Sequence, residues 1–471
     1  MNQRTIRRPG ATFALFFLIL PLLAGAQTKE EFEELKQQLR ALQAKTERLE
    51  RRLAHAEAHP AARPEKAAVS SVPATGGNMN KSVVELVPSA LVTADENGFA
   101  IKSADDSFKL RIGGLIHADG RFFIERNGRD AATDTFLLRR VRPILEGKIY
   151  DDFGFRIMPD FGGGSAVLQD AYLEYTRFEG AQLRVGKFKE PVGLERLQSA
   201  SDNLFVERGL PTDLVPNRDV GVQLSGAFFE KTLTYQLGLF NGVVDGGSGD
   251  LDNNDEKDIA ARVWLQPFQQ ARTVAWQGLN IGFAGTYGLQ DGALPVFRSA
   301  SQQTFFSYDT ETVAQGARWR LAPQAYYSLG PFGLLAEYVR SEQEIGSAAG
   351  LTADSGAEAW QVAASYVLTG ERASFKGVKP RQNVGDGGWG SWEIVARYGE
   401  LEVDREPFDL GLASASRSAR SAHSFGLGLN WNLNKNVRAM FDFDHTAFDG
   451  GALAGDRADE NTIFTRLQIG F

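Results

Sequence analysis

Arginines spaced two residues apart occur at two places in the chain, Arg140 with Arg142 and Arg318 with Arg320. On a β-strand, residues two apart point to the same face of the sheet. A guanidinium group stays charged and offers forked N–H donors, so it can replace part of the hydration shell of an anion. Several such groups in series form weak sites that an anion can leave as well as enter. Each pair is a candidate anion site, and the open alternative is that the arginines pair with acids of the same wall.

From about residue 107 onward, apolar and polar side chains alternate between turn residues, which is the pattern of β-strands. In one run, Ile394 and Tyr398 point to one face, while Glu393 and Arg397 point to the other. Sixteen such runs lie near 108–126, 134–150, 153–161, 167–178, 181–188, 217–230, 231–243, 257–268, 277–289, 316–328, 332–346, 357–370, 390–403, 421–432, 436–447 and 461–471. An even number is typical of bacterial outer-membrane barrels, whose periplasmic turns are short and whose outer loops are long.

The last of these runs ends on the aromatic residue Phe471. Its alternation places Arg466 on one face and an apolar set on the other, namely Ile463, Leu467, Ile469 and Phe471. An apolar face toward lipid and an aromatic at the membrane interface are typical of the end of a β-barrel. The run predicts a closing strand whose arginine faces the lumen.

The beginning of the chain resembles an export signal. Arg4, Arg7 and Arg8 precede an apolar stretch from Ala11 to Leu23, and the small residues 24–26 follow. About 13 apolar residues fall short of the roughly 20 that a membrane-spanning helix needs. We therefore expect a signal peptide over 1–26. Because no later segment is long and apolar enough for a spanning helix, only a closed barrel could cross lipid.

A heptad pattern follows the signal, with seam residues Phe32, Leu35, Leu39, Leu42, Thr46, Leu49 and Leu53. This spacing predicts a short periplasmic coiled coil over 27–59, and a single amphipathic helix is the alternative. Residues 60–100 read as a linker because prolines and a Gly76–Gly77 pair interrupt them. The barrel is then expected over 101–471.

Composition excludes some classes of protein and leaves one question about charge. The chain has no Cys, which rules out disulfide scaffolds and thiolate chemistry. Its formal net charge of −8 becomes −11 when Arg4, Arg7 and Arg8 leave with the signal. An acidic total argues against an anion partner unless the charge along the path differs from the whole-protein sum. A soluble β-sandwich is the rival fold, but it seldom contains so many strands in one series.

The positions of the histidines do not indicate a catalytic site. The five are His55, His59, His117, His423 and His445, and they are scattered along the chain. No nucleophile elbow, zinc-binding motif or phosphate-cradling glycine loop accompanies them. Gly162–Gly164 follows a strand and precedes another, so it reads as a flexible connection. We predict no catalytic residue, no cofactor and no metal site; an outer-membrane barrel enzyme and a purely structural or adhesive barrel remain as alternatives.

Several short segments together resemble the phosphate-selective porins of the O and P type. They are Phe153–Phe161, Leu168–Tyr172, Leu183–Lys189, Gln223–Gly226, Phe240–Gly242 and Tyr366–Glu371. The resemblance extends over roughly 100–471. It implies a trimeric outer-membrane porin with sixteen strands, anion traffic, and a third outer loop, here near 189–216, that folds inward to narrow the channel. It also implies that the final aromatic presents the chain to the barrel assembly machinery.

A census of inward positions tests the implied anion traffic. Residues out of phase with each strand's apolar set include fourteen cations, Lys109, Arg111, Arg121, Arg140, Arg142, Lys148, Arg156, Arg184, Arg262, Arg318, Arg320, Arg397, Arg438 and Arg466. Eight acids face the same way, Asp119, Glu146, Asp170, Glu174, Glu337, Glu393, Asp442 and Asp444. The predicted lumen is therefore basic although the whole chain is acidic. A register error of one residue would reverse this prediction.

The predicted constriction loop with its flanks is less basic than the wall. It contains five cations, Lys187, Lys189, Arg196, Arg208 and Arg218, and six acids, Glu190, Glu195, Asp202, Glu207, Asp213 and Asp219. Two interpretations remain open. Either the acids point into the wall, or the channel passes other anions or small solutes with modest selectivity.

These observations predict an all-β transmembrane barrel of about 16 antiparallel strands with a short N-terminal α-helical coiled coil. The expected function is passive diffusion of small anions across the bacterial outer membrane, with phosphate and polyphosphate as candidates and a weakly selective solute porin as the alternative. The expected partners are small anions, outer-membrane lipid, the barrel assembly machinery and two further copies in a homotrimer, without nucleic acid. The candidate anion-binding, pore-lining residues are Arg140, Arg142, Lys148, Arg184, Lys187, Lys189, Arg196, Arg208, Arg218, Arg318, Arg320, Arg397, Arg438 and Arg466.

Overall fold

The computed structural model describes residues 90–124, 132–251, 254–348 and 350–471. The predicted signal peptide, the predicted coiled coil and the linker up to residue 89 lie outside the described residues. What is described is one barrel wall with the segments that fold into it.

Twenty strands form in the described part of the chain. Sixteen of them build the wall: β3 (Phe108–Phe123), β4 (Thr135–Ile149), β5 (Phe153–Asp160), β6 (Val167–Phe178), β7 (Ala181–Phe188), β8 (Asp219–Phe228), β9 (Leu233–Phe240), β10 (Asp258–Leu265), β11 (Leu279–Gly292), β14 (Thr312–Leu329), β15 (Phe332–Ser347), β16 (Thr352–Val367), β17 (Ser391–Val403), β18 (Ala419–Asn432), β19 (Val437–Gly450) and β20 (Glu460–Gly470). The other four are β1 (Leu91–Asp95), β2 (Gly98–Lys102), β12 (Val296–Arg298) and β13 (Thr304–Ser307).

The wall is a closed antiparallel barrel. Each wall strand pairs with the next along the chain, and β20 pairs back with β3 through Gly470 opposite Leu115 and Thr462 opposite Phe123. All sixteen predicted runs are confirmed, with β6 and β7 at their predicted bounds and the largest offset, five residues, at the start of β16. Because one closed sheet forms, the sandwich alternative is wrong.

Side-chain directions also follow the predicted alternation. Large apolar side chains point outward, as with Leu173, Phe441 and Leu467, which are 68%, 52% and 52% exposed. The inward positions carry polar and charged groups, including Arg397 and Arg466, which are buried. A lipid-facing apolar belt around a polar interior is the arrangement of outer-membrane barrels.

The two rims differ in their connections. The upper rim carries long connections, 189–218, 241–257, 293–311 and 404–418. The lower rim carries short turns such as 150–152, 179–180, 330–331 and 433–436, together with two longer connections, 266–278 and 368–390. In bacterial barrels the rim of short turns faces the periplasm. We call 368–390 the lower loop.

A hairpin of β1 and β2 precedes the wall. β2 pairs with β3 from Phe99 opposite Ile112 to Lys102 opposite Lys109, below the place where β20 ends. The Phe99 ring meets the ring of Phe471 with centroids 6.1 Å apart. Residues 91–100, which the sequence analysis places in a linker, thus cover an otherwise open edge of β3.

Helices are few and short. Three α-helices of four residues each lie at Leu194–Leu197, Val274–Gln277 and Glu406–Asp409, and 3₁₀ turns lie at Gly162–Gly164 and Leu210–Leu214. Within the described ranges, no helix is long and apolar enough to cross a membrane.

Candidate functional site: a basic path through the barrel

Loop 189–218 crosses the barrel and docks on the far wall. The main-chain N–H of Leu194 donates to Glu337 Oε2 at 2.6 Å, and the N–H of Val206 donates to Asp442 Oδ2 at 2.6 Å. Arg438 donates from Nη1 to the carbonyl of Asn203 at 2.8 Å. The side chains on β15 and β19 therefore satisfy main-chain groups of the loop that would otherwise be buried without partners. Two acids of the predicted inward census hold the loop in place.

Close approach of the loop requires a small residue at Gly209. A Cβ atom there would overlap the side-chain amide of Gln361 on β16. That amide donates from Nε2 to Glu195 Oε2 at 2.8 Å, and the N–H of Gly209 donates to the same oxygen at 2.8 Å. A larger residue at position 209 would push the loop away from the wall.

Half of the acids that the sequence places in or beside this loop turn away from the lumen. Glu195 bonds to Gly209 and Gln361 on the wall side. Glu190 is fully buried, and burial raises the pKa of its carboxyl well above its ordinary value. Asp219 accepts main-chain N–H groups at the start of β8 and of the next upper connection. These three line neither of the two cavities described below, so the predicted excess of acid does not face the path.

An upper cavity of about 590 Å³ opens toward the long connections. Eight basic residues line it, Arg139, Arg140, Arg142, Lys189, Arg196, Arg208, Arg218 and Arg298. Four acidic residues line it as well, Asp160, Glu207, Asp213 and Asp245. The excess of cations makes this cavity attractive to anions, because a low-dielectric cleft lined by one sign of charge concentrates the opposite ion.

A lower cavity of about 560 Å³ opens toward the short turns. Ten basic residues line it, Arg111, Arg142, Arg156, Arg184, Lys189, Arg218, Lys376, Lys379, Lys435 and Arg438. Only three acidic residues accompany them, Glu96, Asp170 and Asp202. The lower cavity is therefore basic, like the upper one.

The two cavities meet at four residues that line both, Arg142, Lys189, Ala200 and Arg218. Arg142 lies on the wall strand β4, while the other three belong to loop 189–218. Arg142 donates from Nε to Asp160 Oδ2 at 2.7 Å, and Arg218 donates from Nε to Asp170 Oδ1 at 2.7 Å. Arg218 also donates from Nη1 to Asn217 Oδ1 at 3.0 Å. A guanidinium has five N–H donors, so these bonds do not use all the donors of either side chain.

Five cations at the upper cavity have no carboxylate partner for their side chains in the described ranges, Arg140, Lys189, Arg196, Arg208 and Arg298. The three in the loop bond instead to loop carbonyls: Lys189 Nζ donates to Gln198 O at 2.8 Å, Arg208 Nη2 donates to the same carbonyl at 2.9 Å, and Arg196 donates to Thr212 O. A carbonyl orients a cation without cancelling its charge. The loop therefore presents three basic side chains without a carboxylate partner near the narrow point.

Eight of the predicted site residues line a cavity: Arg140, Arg142, Arg184, Lys189, Arg196, Arg208, Arg218 and Arg438. Six line neither cavity: Lys148, Lys187, Arg318, Arg320, Arg397 and Arg466. Arg320 is fully buried between Asp245 at 2.5 Å and Asp258 at 3.2 Å, and Arg318 lies 2.8 Å from Asp258. For this arginine pair the geometry matches the alternative of pairing with nearby acids.

The other two predicted site arginines outside the cavities are also paired with acids, and the two lysines differ. Arg397 lies 3.1 Å from Asp444, and Arg466 makes two bonds to Asp119 at 2.7 and 2.6 Å. Lys187 pairs with Asp250. Lys148 is exposed and lines a separate recess near the lower rim with Glu146, Arg156 and Glu174 among its neighbours.

Several basic residues that line the path were not among the predicted site residues. Arg139 follows Leu138, and the register shifts there between His117 opposite Arg140 and Ala118 opposite Leu138. This bulge breaks the alternation, so Arg139 lines the same cavity as Arg140. The alternation of side chains within one strand does not indicate where such a bulge occurs.

Of the other cations missed by the sequence analysis, Lys435 lies in the short turn 433–436, and three lie in inserted segments. Arg298 belongs to the β12–β13 hairpin, which reaches across the upper mouth, where Ser301 Oγ lies 2.7 Å from Thr462 Oγ1 of β20. Lys376 and Lys379 belong to the lower loop, which folds into the barrel from below. Neither segment has a periodic pattern from which its direction could be read.

Comparison with known proteins agrees with this geometry at the level of family and fold. The family model "Phosphate-selective porin O and P" matches residues 110–471. No curated protein sequence matches the chain. Among solved structures, the outer-membrane channel DcaP of Acinetobacter baumannii is similar with a TM-score of 0.52 at 12% identity, over 79% of this chain and 99% of that one. An anion-selective porin from Comamonas acidovorans has a TM-score of 0.49 at 12% identity, over 77% of this chain and 100% of that one.

The family match covers nearly the whole described barrel, and the similarity to the Acinetobacter channel supports the fold alone. Together with the closed barrel, the family match indicates an outer-membrane channel rather than an enzyme. The chain belongs to the phosphate-selective porin O and P family.

Proposed function

We propose that the channel conducts small anions by passive diffusion and selects them at the narrow point between the two cavities. The observation that carries this proposal is the lining of that point, where three of the four shared residues are the cations Arg142, Lys189 and Arg218. An ion that passes between the cavities must pass these charges. Cations are repelled there, while an anion can exchange water for N–H donors.

Phosphate is the anion that we expect to compete best with chloride. Its higher charge and several acceptor oxygens suit a cluster of forked and point-like donors. Lys189, Arg196 and Arg208 lie close enough in the loop for each to act on the others electrostatically. Their bonds to main-chain carbonyls leave their charges uncompensated, and membership of the family supports the same preference.

A weakly selective solute channel is the second candidate. It is favoured by Glu207 and Asp213, two loop acids that line the upper cavity beside the cations. Glu207 is occupied by Arg139, whose Nε lies 2.6 Å from its Oε1. Burial raises the pKa of Asp213 to about 7. Both facts reduce the negative charge that these acids contribute at neutral pH.

Planar-bilayer recordings of the purified protein distinguish the candidates. In a potassium chloride gradient, an anion-selective path gives a reversal potential near the chloride limit, and added phosphate then lowers the chloride current. A reversal potential near zero would support the weakly selective channel. A reversal potential near the potassium limit would contradict the proposed role of the narrow point.

Assembly as a homotrimer and delivery through the barrel assembly machinery remain predictions from the family resemblance. Native gel electrophoresis of the full chain and of a variant without residues 27–59 would test the trimer and the predicted role of the coiled coil. We expect a weaker trimer with an open pore for the shortened chain. An unchanged trimer would leave the coiled coil without that role.

A further inference from the structure

An apolar groove of about 650 Å³ crosses the outer face of the wall where β20 pairs with β3. Its floor consists of short side chains, those of Ala118 and Gly120 on β3, Thr465 on β20 and Ala439 on β19. Ala118 and Ala439 both lie opposite Leu467, which points outward and is half exposed. Short side chains on an outer surface let a second protein approach closely within a membrane.

Larger apolar side chains form the two sides of this groove. Leu138 and Phe136 of β4 stand on one side, and both are exposed. Phe441 of β19 and Trp431 of β18 stand on the other side. The Trp431 ring is fixed by stacking on Trp392 of β17, with centroids 4.9 Å apart. The groove therefore has a defined shape that suits a protruding apolar side chain.

An apolar side chain of this kind lies on the outer face of β6. Leu173 is 68% exposed, the largest exposed fraction among the leucines of the wall strands. It lies opposite Phe155 on β5 and Val185 on β7, and the small residue Ala171 lies two positions along β6 on the same face. Leu173 therefore projects beyond part of the surface that surrounds it.

The positions of the groove and of Leu173 match the geometry of a closed trimer. In a ring of three equal cylinders, each cylinder touches its two neighbours along directions about 60° apart, which is roughly three strands of a sixteen-stranded barrel. Leu173 on β6 lies three strands from β3 at the groove. The depths in the membrane are also similar, because Leu467 is the fourth residue from the lower end of β20 and Leu173 lies opposite Phe155, the third residue from the lower end of β5.

The upper halves of β5 and β6, which the structure describes in full, lack the outward residues that mark a boundary between lipid and water. Such a boundary is present on β15 and β16, where Tyr338 lies opposite Trp360 and donates to Glu358 at 2.7 Å. Aromatic side chains with polar ends are typical of this boundary. On β5 and β6 the outward positions stay apolar up to Pro159 and Leu168, which lie opposite each other. This face suits contact with protein better than contact with lipid and water.

We propose that the groove receives the Leu173 face of a second copy of this chain. The seam between β20 and β3 of one subunit packs on β6 of the next, and three copies close a ring. Each subunit uses its groove for one neighbour and Leu173 for the other, as a cyclic assembly requires. The contact rests on the predicted homotrimer and is independent of which ion the path prefers.

Disulfide trapping tests this contact directly, because the chain has no Cys of its own. Leu173→Cys is combined in the full chain with Ala118→Cys, with Thr465→Cys or with Ala439→Cys. A disulfide within one subunit is excluded, because β6 and β3 are three strand spacings of about 4.8 Å apart, beyond the reach of the bond. Oxidation in outer membranes should give covalent dimers and trimers on a denaturing gel for at least one combination. Leu173→Cys with Ala325→Cys, on the outer face of β14 opposite Ile281, is the control and should stay monomeric.

Filling the groove gives the second test. Ala118→Trp should lower the temperature at which the trimer separates into monomers on a native gel, because the indole occupies the space that the neighbour needs. Ala325→Trp, the same change on β14, should keep the wild-type temperature. If Ala118→Trp does not fold, the cross-links decide.

Two outcomes would overturn the contact, and they differ in meaning. A trimer that stays intact on the native gel, gives no cross-link in any of the three combinations and tolerates Ala118→Trp would show that lipid fills the groove. A chain that runs as a monomer would contradict the predicted trimer as well. Neither outcome bears on the anion preference, which reversal potentials measure separately.

Discussion

The side-chain amide of Gln198 in loop 189–218 donates to the main-chain carbonyl of Phe375 in the lower loop at 2.8 Å. A segment inserted from the upper rim thus meets a segment inserted from the lower rim inside the barrel. The Phe375 ring packs against Tyr326 of β14 with centroids 5.4 Å apart. The lower loop is therefore held at the level of the loop that narrows the path, and its cations Lys376 and Lys379 face the lower cavity.

Replacing Lys189 should weaken anion selectivity more than replacing its near neighbour Lys187. Lys189 lines both cavities and has no carboxylate partner in the described ranges, whereas Lys187 pairs with Asp250 and lines neither cavity. We expect Lys189→Gln to lower the chloride-to-potassium permeability ratio roughly fivefold, the equivalent of about 1 kcal/mol for one charge near a solvated path. Reversal potentials in a salt gradient measure the ratio. Equal effects of Lys189→Gln and Lys187→Gln would place the selective point elsewhere.

The lower loop should contribute to selectivity through Lys379. Lys379→Gln removes a cation from the lower cavity and should reduce the anion preference by a smaller factor than Lys189→Gln, because the charge lies away from the narrow point and is better screened. Arg372→Gln is the control, since Arg372 belongs to the same loop and does not line the cavity. The difference in anion preference between Lys379→Gln and Arg372→Gln should shrink in molar salt. Loss of selectivity in Arg372→Gln but not in Lys379→Gln would contradict the placement of Lys379, rather than Arg372, at the lower cavity.

Anion preference should rise as pH falls from 8 to 6. Burial raises the pKa of Asp213 to about 7, against a hydrogen bond from the N–H of Arg298 that lowers it. Above that pH the carboxylate is charged and offsets a cation of the upper cavity; below it the carboxyl is neutral. Reversal potentials recorded at the two pH values test the change. Asp213→Asn should give the low-pH value at both, and a variant that keeps the pH dependence would show that another group titrates.

Removing Arg320 should destabilise the barrel strongly. Its guanidinium is fully buried between Asp245 and Asp258, so Arg320→Gln leaves the buried carboxylate of Asp245 without its cation and Asp258 with Arg318 alone. We expect a loss of about 3–5 kcal/mol in the free energy of unfolding. Arg417→Gln, which breaks an exposed pair with Asp309, should cost less than about 1 kcal/mol. Denaturant unfolding in detergent micelles compares the two, and a similar small loss in both would mean that Arg320 is not structurally required.

The sequence by itself determined the wall. Alternation with a period of two is a local property of an extended chain, so the run ending at Phe471 revealed its strand and the inward direction of Arg466 without knowledge of the rest. The same local rule located all sixteen strands and predicted a basic interior. It missed Arg139, because a bulge adds one residue and shifts the phase.

Only the tertiary structure decided which inward cations line the path. Arg320 and Arg142 are equivalent in their strands, yet Asp245 from an upper connection neutralises the first, while the second lies where the two cavities meet. Which cations line the path depends on where the long segments without periodicity fold. Contacts between residues far apart in the chain, such as the bond from Val206 to Asp442, fix the position of these segments. Pairing distance and burial set the charge that an ion meets, and neither can be read from the residue types alone.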